Sequence, residues 1–139
     1  MGIWRLTRYY SYAGWNRRRE SWNLLRSLHP KSPLPWIVVS DFNDLIFNSE
    51  KDSLTAHLQW LLYGFGQTLE ACGLHDLGFA GSKYTWMGKQ EDILVKERLD
   101  RVVGTLFWTE LFSQATVYVL EALYSDHKPL LVSLEITVV

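Results

Sequence analysis

Pro35-Trp36-Ile37-Val38-Val39-Ser40-Asp41-Phe42-Asn43 is the stretch whose reading decides how this chain folds. Trp36 to Val39 is a short, unbroken apolar run, which reads as a strand covered on both faces. Pro30, Pro33 and Pro35 stand just before it, and each removes a backbone donor, so no helix runs into the strand. Ser40-Asp41 ends the run, where strand gives way to loop. A buried strand that ends on a carboxylate places an acid at the rim of a sheet.

Working outward, residues 3–10 alternate loosely and are rich in aromatic and β-branched types, which predicts a strand. Asn16 reads as the N-cap of a helix over about 17–28, with Trp22, Leu24, Leu25 and Leu28 on or near one face. Residues 44–53 read as a loop. Leu58, Leu61, Leu62, Phe65 and Leu69 recur at helical spacing over 55–72, and Gly73 is the stop. Leu77–Phe79 and Tyr84–Met87 read as short strands around a Gly81-Ser82 turn. Residues 93–103 read as a single strand holding Arg98-Leu99-Asp100-Arg101. A short helix over 105–112 and strands over Val117–Leu120 and Leu130–Ile136 close the chain. Helices interspersed with short strands predict an α+β layered fold with helices outside sheets. There is no internal repeat and no low-complexity segment.

The chain has 139 residues, the size of one domain or part of one. Its 47% hydrophobic content, with only 9 Gly and 4 Pro, excludes global disorder. A net charge of −1 argues against a binder that relies on a general basic excess. It leaves room for an enzyme in which a metal offsets the repulsion between carboxylates and phosphate. Arg17-Arg18-Arg19 is the one basic run, read as a solvated helix face, a phosphate contact or a weak nuclear signal. Cys72 is the single cysteine, so no intrachain disulfide forms. A reducing compartment, nuclear or cytoplasmic, is the expectation. No stretch is apolar enough to cross a membrane. A strand beginning almost at residue 1 leads us to expect sequence upstream of it.

Three clusters carry chemistry. Asp41 and Asn43 are two apart, so a continuing strand would set both on one face, as hard oxygen donors for Mg²⁺ or Mn²⁺. An Asx turn closing the strand is the other reading. Ser125-Asp126-His127, followed by Pro129, reads as a turn: either plain surface, or an acid and an imidazole offered to a ligand. Asp100, between Arg98 and Arg101, is either half of a strand-level ion pair or a carboxylate that holds an imidazole in one tautomer. His75-Asp76 lies in an apolar setting and reads as structural, and His29 and His57 carry no signal.

Taken in chain order, these elements resemble the endonuclease/exonuclease/phosphatase superfamily, the DNase-like fold. More narrowly, they are similar to the endonuclease region of plant LINE-type non-LTR retrotransposons. The resemblance covers nearly the whole chain. It rests on Trp4-Arg5-Leu6-Thr7, Tyr10, Arg19-Glu20-Ser21-Trp22, Pro35-Trp36 and Ser40-Asp41-Phe42-Asn43. It continues through Glu50-Lys51, Cys72-Gly73-Leu74-His75-Asp76-Leu77, Tyr84-Thr85-Trp86, Arg98-Leu99-Asp100-Arg101 and Ser125-Asp126-His127.

The resemblance implies a two-sheet β-sandwich flanked by helices, in four layers, and cleavage of DNA phosphodiesters with Mg²⁺ or Mn²⁺. By resemblance, Asp41 positions or deprotonates the attacking water, and Asn43 binds phosphate or metal. Asp126 helps bind the metal, and His127 contacts the phosphate with Asp100 orienting its ring. Tyr10 matches a phosphate-contacting tyrosine. Trp86 and Arg98 match substrate-binding positions, with a core role for Trp86 equally open. The pattern's early Asn and metal-binding Glu have no counterpart before Tyr10, and Glu50 stands in the wrong place in the order. Ser40 replaces the usual Gly. The resemblance therefore implies that residues 1–139 are the C-terminal portion of such a domain. Two other readings stay open: a non-catalytic transposon-derived remnant or interaction module, and a phosphatase acting on small phosphoesters.

Overall fold

The computed structural model describes residues 2–53 and 55–135. In chain order its elements are β1 (Arg5–Arg8), α1 (Arg18–Leu28), β2 (Trp36–Asp41), β3 (Lys51–Asp52) and α2 (Gln59–Ala71). There follow β4 (His75–Asp76), β5 (Ala80–Gly81), β6 (Trp86–Gln90), β7 (Ile93–Glu97) and β8 (Asp100–Gly104). The described part closes with α3 (Leu106–Leu111), β9 (Thr116–Val119) and β10 (Leu130–Ser133).

The central sheet runs β1-β2-β8-β4, with β1 parallel to β2 and the other pairs antiparallel. The apolar run Trp36–Val39 makes its middle. Because side chains alternate along a strand, Trp36 and Val38 join a core with Trp22, Leu25, Phe65 and Leu69 from α1 and α2. Ile37 faces the other way, into a core with Val102, Trp108, Phe112 and Val117. Val132 of β10 packs against that second core, so the sheet β10-β9-β5 covers the far side of the central sheet. The result is an α+β sandwich with helices outside, as the alternation of short strands and helical stretches predicts. A third small sheet, β3-β7-β6, sits beside these layers.

Four expectations differ from the structure. Residues 93–103 are not one strand: β7 belongs to the small sheet and β8 to the central one, and the chain crosses between them at Arg98-Leu99. Asn16 does not cap α1; it lies within a 3₁₀ turn over Trp15–Arg17, and Arg17 holds the cap position. Leu77–Phe79 is not a strand. The Asp76 carboxylate accepts the Gly78 amide at 2.8 Å and Gly78 takes φ +78°, which turns the chain. The last strand closes at Ser133, and Ile136 lies outside the described residues.

Candidate active site

Antiparallel register sets Asp41, the last residue of β2, directly opposite Asp100, the first of β8. Two carboxylates facing each other across a ladder repel. His127 resolves this by entering from the loop before β10. Its Nδ1 lies 2.7 Å from Asp100 Oδ2, and its Nε2 lies 3.6 Å from Asp41 Oδ2. A carboxylate can only accept, so the proton on Nδ1 points at Asp100 and the Nε2 face is turned toward Asp41. Burial, and next the nearby Asp100 charge, hold the Asp41 carboxyl above its ordinary range.

The three side chains line an open groove of about 640 Å³. Leu6, Val39 and Leu130 supply apolar wall; Arg8 lines it too, and so does Lys128, whose ammonium is bonded to Glu121 at 3.2 Å. Sequence reasoning missed Arg8 and Lys128. The signal was available for Arg8, which shares an alternation with Leu6 on β1; Lys128 directly follows the histidine.

Thr85 assembles the trio. It is fully buried, and its Oγ1 accepts the amide hydrogens of Leu99 at 3.0 Å and Asp100 at 2.9 Å. Its carbonyl accepts the Lys128 amide at 2.7 Å. One residue thus pins both the start of β8 and the turn that carries His127. Trp86 forms an isolated bridge with His127, and the Met87 amide donates to the Asp126 carbonyl at 3.1 Å. The 125–128 turn is therefore fixed by main-chain hydrogen bonds to the 85–87 segment.

The other candidate residues lie elsewhere. Strand geometry ends at Asp41, and Asn43 takes φ +53°, so the two side chains do not share a face. Asp41 Oδ1 accepts the Asn43 amide at 2.9 Å, the Asx-turn reading, and Asn43 Nδ2 donates to the Ser11 carbonyl at 3.2 Å. Ser40, where the pattern has Gly, is buried and donates its hydroxyl to the Tyr9 carbonyl at 2.6 Å, tying β2 to the end of β1. Tyr10 stands exposed beside it. Asp126 is exposed and is not among the three groups whose donor atoms lie within 4.8 Å of one another, Asp41, Asp100 and His127.

Arg98 is not at the groove, because it is consumed by a buried ion cluster. Its guanidinium bonds Glu50 at 3.0 Å and Asp76 at 2.6 Å. Arg101, fully buried, bonds the same two carboxylates at 3.0 and 2.8 Å. Neither arginine forms a salt bridge with Asp100, which leaves that carboxylate to the imidazole. Burial alone would raise Glu50, but Arg101 outweighs it and holds that carboxyl below its ordinary range. Asp76 is held down in the same way by Arg98 and Arg101.

At the sequence level no protein-family model and no curated protein matches the chain. Among solved structures, the endonuclease domain of TRAS1, a telomere-specific non-LTR retrotransposon, superposes with TM-score 0.67 at 19% identity over 89% of this chain. A 3'-5' exonuclease (NExo) from Neisseria meningitidis superposes with TM-score 0.70 at 17% identity over 92% of it. The chain has the DNase-like fold. It spans 54% of the length of the first of these structures and 60% of the second. The two sheets back to back, with the carboxylate–imidazole trio at the ends of β2 and β8, are how that fold is realised here.

The trio suits a hard divalent cation. Two facing carboxylates, one of them held above its ordinary range, are stabilised by positive charge placed between them. His127 completes the set, its ligand atom lying within 4.8 Å of those of both carboxylates.

Proposed function

We propose that this protein hydrolyses phosphodiester bonds of DNA with the help of a divalent metal ion, Mg²⁺ or Mn²⁺. The observation that carries the reading is the Asp41–Asp100–His127 trio at the floor of an open groove that also receives Arg8 and Lys128. The DNase-like fold supports it.

Asp41, at the end of β2, positions the attacking water and accepts its proton. In its imidazolium form, with Nδ1–H on Asp100, His127 would donate Nε2–H to the phosphate and stabilise the charge that develops there. Arg8 draws the phosphate backbone into the groove. A divalent ion would be held by the facing carboxylates of Asp41 and Asp100, with Asp126 on the adjoining turn as a further acid, and would supply Lewis-acid polarisation of the phosphate. Tyr10 and Asn43 act at the rim, Tyr10 against the backbone and Asn43 by fixing the loop that carries it.

The test separates the two modes that the related structures represent. Supercoiled plasmid with Mg²⁺ is nicked by an endonuclease and left intact by an exonuclease, which shortens a linear 3'-labelled duplex instead. Release of inorganic phosphate from small phosphoesters, with both DNA substrates untouched, contradicts the proposal.

A further inference from the structure

We propose that the cleft between α1 and α2 binds single-stranded nucleic acid, at a site separate from the groove of the trio. This deepens the reading of the protein as one that acts on DNA, but it stands on its own geometry. Arg19, Asn23 and Arg26 lie at i, i+4 and i+7 on α1, and Trp60, Gly64 and Gln67 lie at i, i+4 and i+7 on α2. Residues at that spacing share one helix face. These two stripes line a cavity of about 310 Å³. A second cavity, of about 330 Å³, shares Arg19 and Trp60 with the first and reaches Trp15 and Asn16.

Trp60 is the centre of this surface. Its ring meets the buried Trp22 edge-on at 5.9 Å and the exposed Trp15 edge-on at 6.5 Å, and the Arg19 guanidinium lies 5.1 Å from its centroid. The floor is rigid. The Trp22 indole donates to the buried Asp44 at 2.7 Å, and a Cβ on Gly64 would collide with the Trp22 ring, so only glycine lets α2 sit against it.

The charge is also free. Arg17 is bonded to Glu20 at 2.6 Å, whereas neither Arg19 nor Arg26 forms a salt bridge among the described residues. Aromatic rings beside guanidiniums that form no salt bridge among the described residues, with Asn23 and Gln67 lining the same cavity, are the combination that holds bases by stacking and phosphates by charge. It fits flexible single strands better than a stiff duplex, because a base must leave its stack to reach Trp60 in a cleft.

The loop leaving β1 through Tyr10 runs into Trp15, and the buried Arg18 clamps it by donating to the carbonyls of Tyr12, Ala13 and Asn43.

The test is fluorescence anisotropy with labelled dT15, a 15-base-pair duplex and dTMP as competitor, in EDTA and on a His127→Ala background so that no cleavage intervenes. Arg19→Glu/Arg26→Glu changes only exposed helix positions. It is expected to weaken dT15 binding at least about tenfold and to lower the log–log salt slope by about 1.4, near 0.7 for each phosphate that is no longer neutralised. Arg19→Gln/Arg26→Gln serves if the charge reversal alters the circular dichroism spectrum. Unchanged dT15 affinity and slope in the folded variant overturn the proposal. So does an equal loss for duplex and dT15, which marks a general basic surface, or displacement of dT15 by dTMP at matching affinity, which marks a mononucleotide pocket. A chain that binds dT15 here yet hydrolyses nothing refutes the catalytic reading and leaves this one standing.

Discussion

His127 Nδ1 lies 2.7 Å from Asp100 Oδ2, while the same ring turns Nε2 toward Asp41 at 3.6 Å. The pairing fixes both the tautomer and the direction of the imidazole. Removing the ring in His127→Ala is expected to lower metal-dependent cleavage by about 10²–10⁴, the range for a positioned proton-transfer or charge-stabilising group. Asp100→Asn keeps the shape but offers the ring an amide in place of a carboxylate, and a loss of at least about tenfold is expected. Single-turnover cleavage rates measure both, with circular dichroism to confirm folding.

Thr85 gives a sharper test of how the trio is held. Thr85→Val keeps the volume but strands the amides of Leu99 and Asp100, at a cost of about 2–4 kcal/mol for two buried donors. Thr85→Ser restores the acceptor and is expected to recover most of that stability. NMR of the His127 ring adds a second readout. Loss of the Nδ1–Asp100 bond in Thr85→Val, but not in Thr85→Ser, is the outcome expected of a residue that positions the pair.

The buried cluster of Glu50, Asp76, Arg98 and Arg101 predicts a distinct cost. Arg101→Met leaves Glu50 and Asp76 short of a partner and is expected to destabilise the fold by about 3–5 kcal/mol in urea unfolding.

The same cluster sets a pH dependence. Glu50 is held below its ordinary value of 4.5 in the fold, so it contributes stability above that value and loses it as pH falls through the lowered folded value. Glu50→Gln mimics the protonated form. The stability gap between wild type and Glu50→Gln is therefore expected to be widest near neutral pH and to shrink below about pH 4.5. A gap that stays constant from about pH 7 down to about pH 3.5 contradicts this assignment.

The β6–β7 hairpin carries a removable strain. Its two-residue turn is Glu91-Asp92, with φ of +52° and +63° at residues that favour negative φ. Such a turn is suited to Asn-Gly. Asp92→Gly is expected to raise stability by about 0.5–1 kcal/mol, measured as the shift in urea midpoint at constant slope.

The sequence made the layered fold legible where apolar periodicity was strong: the buried run Trp36–Val39, the helical stripe from Leu61 to Leu69, and the alternation from Leu130 to Val132. It misled where a single local bond redirected the chain. Nothing in the pattern of residues 93–103 announces that the Thr85 hydroxyl takes the Leu99 and Asp100 amides and splits the strand between two sheets. For the site, the pairing of Asp100 with His127 was legible only through the ordered motifs, because 27 residues separate the two. Arg98 was placed at the substrate and instead lies in the ion cluster, since adjacency to Asp100 in sequence says nothing of which carboxylate a guanidinium meets. Arg8 was missed because a lone arginine on an edge strand looks like ordinary solvent-facing charge.

Metal-assisted phosphodiester hydrolysis is the role we propose for the Asp41–Asp100–His127 trio. The most direct test is plasmid nicking by the 139-residue chain in Mg²⁺, with EDTA and His127→Ala controls. Nicking that EDTA abolishes and that His127→Ala reduces by about 10² or more is the expected result. Intact plasmid together with an undegraded linear duplex, both with the folded chain in Mg²⁺, or nicking that persists unchanged in His127→Ala, would contradict it.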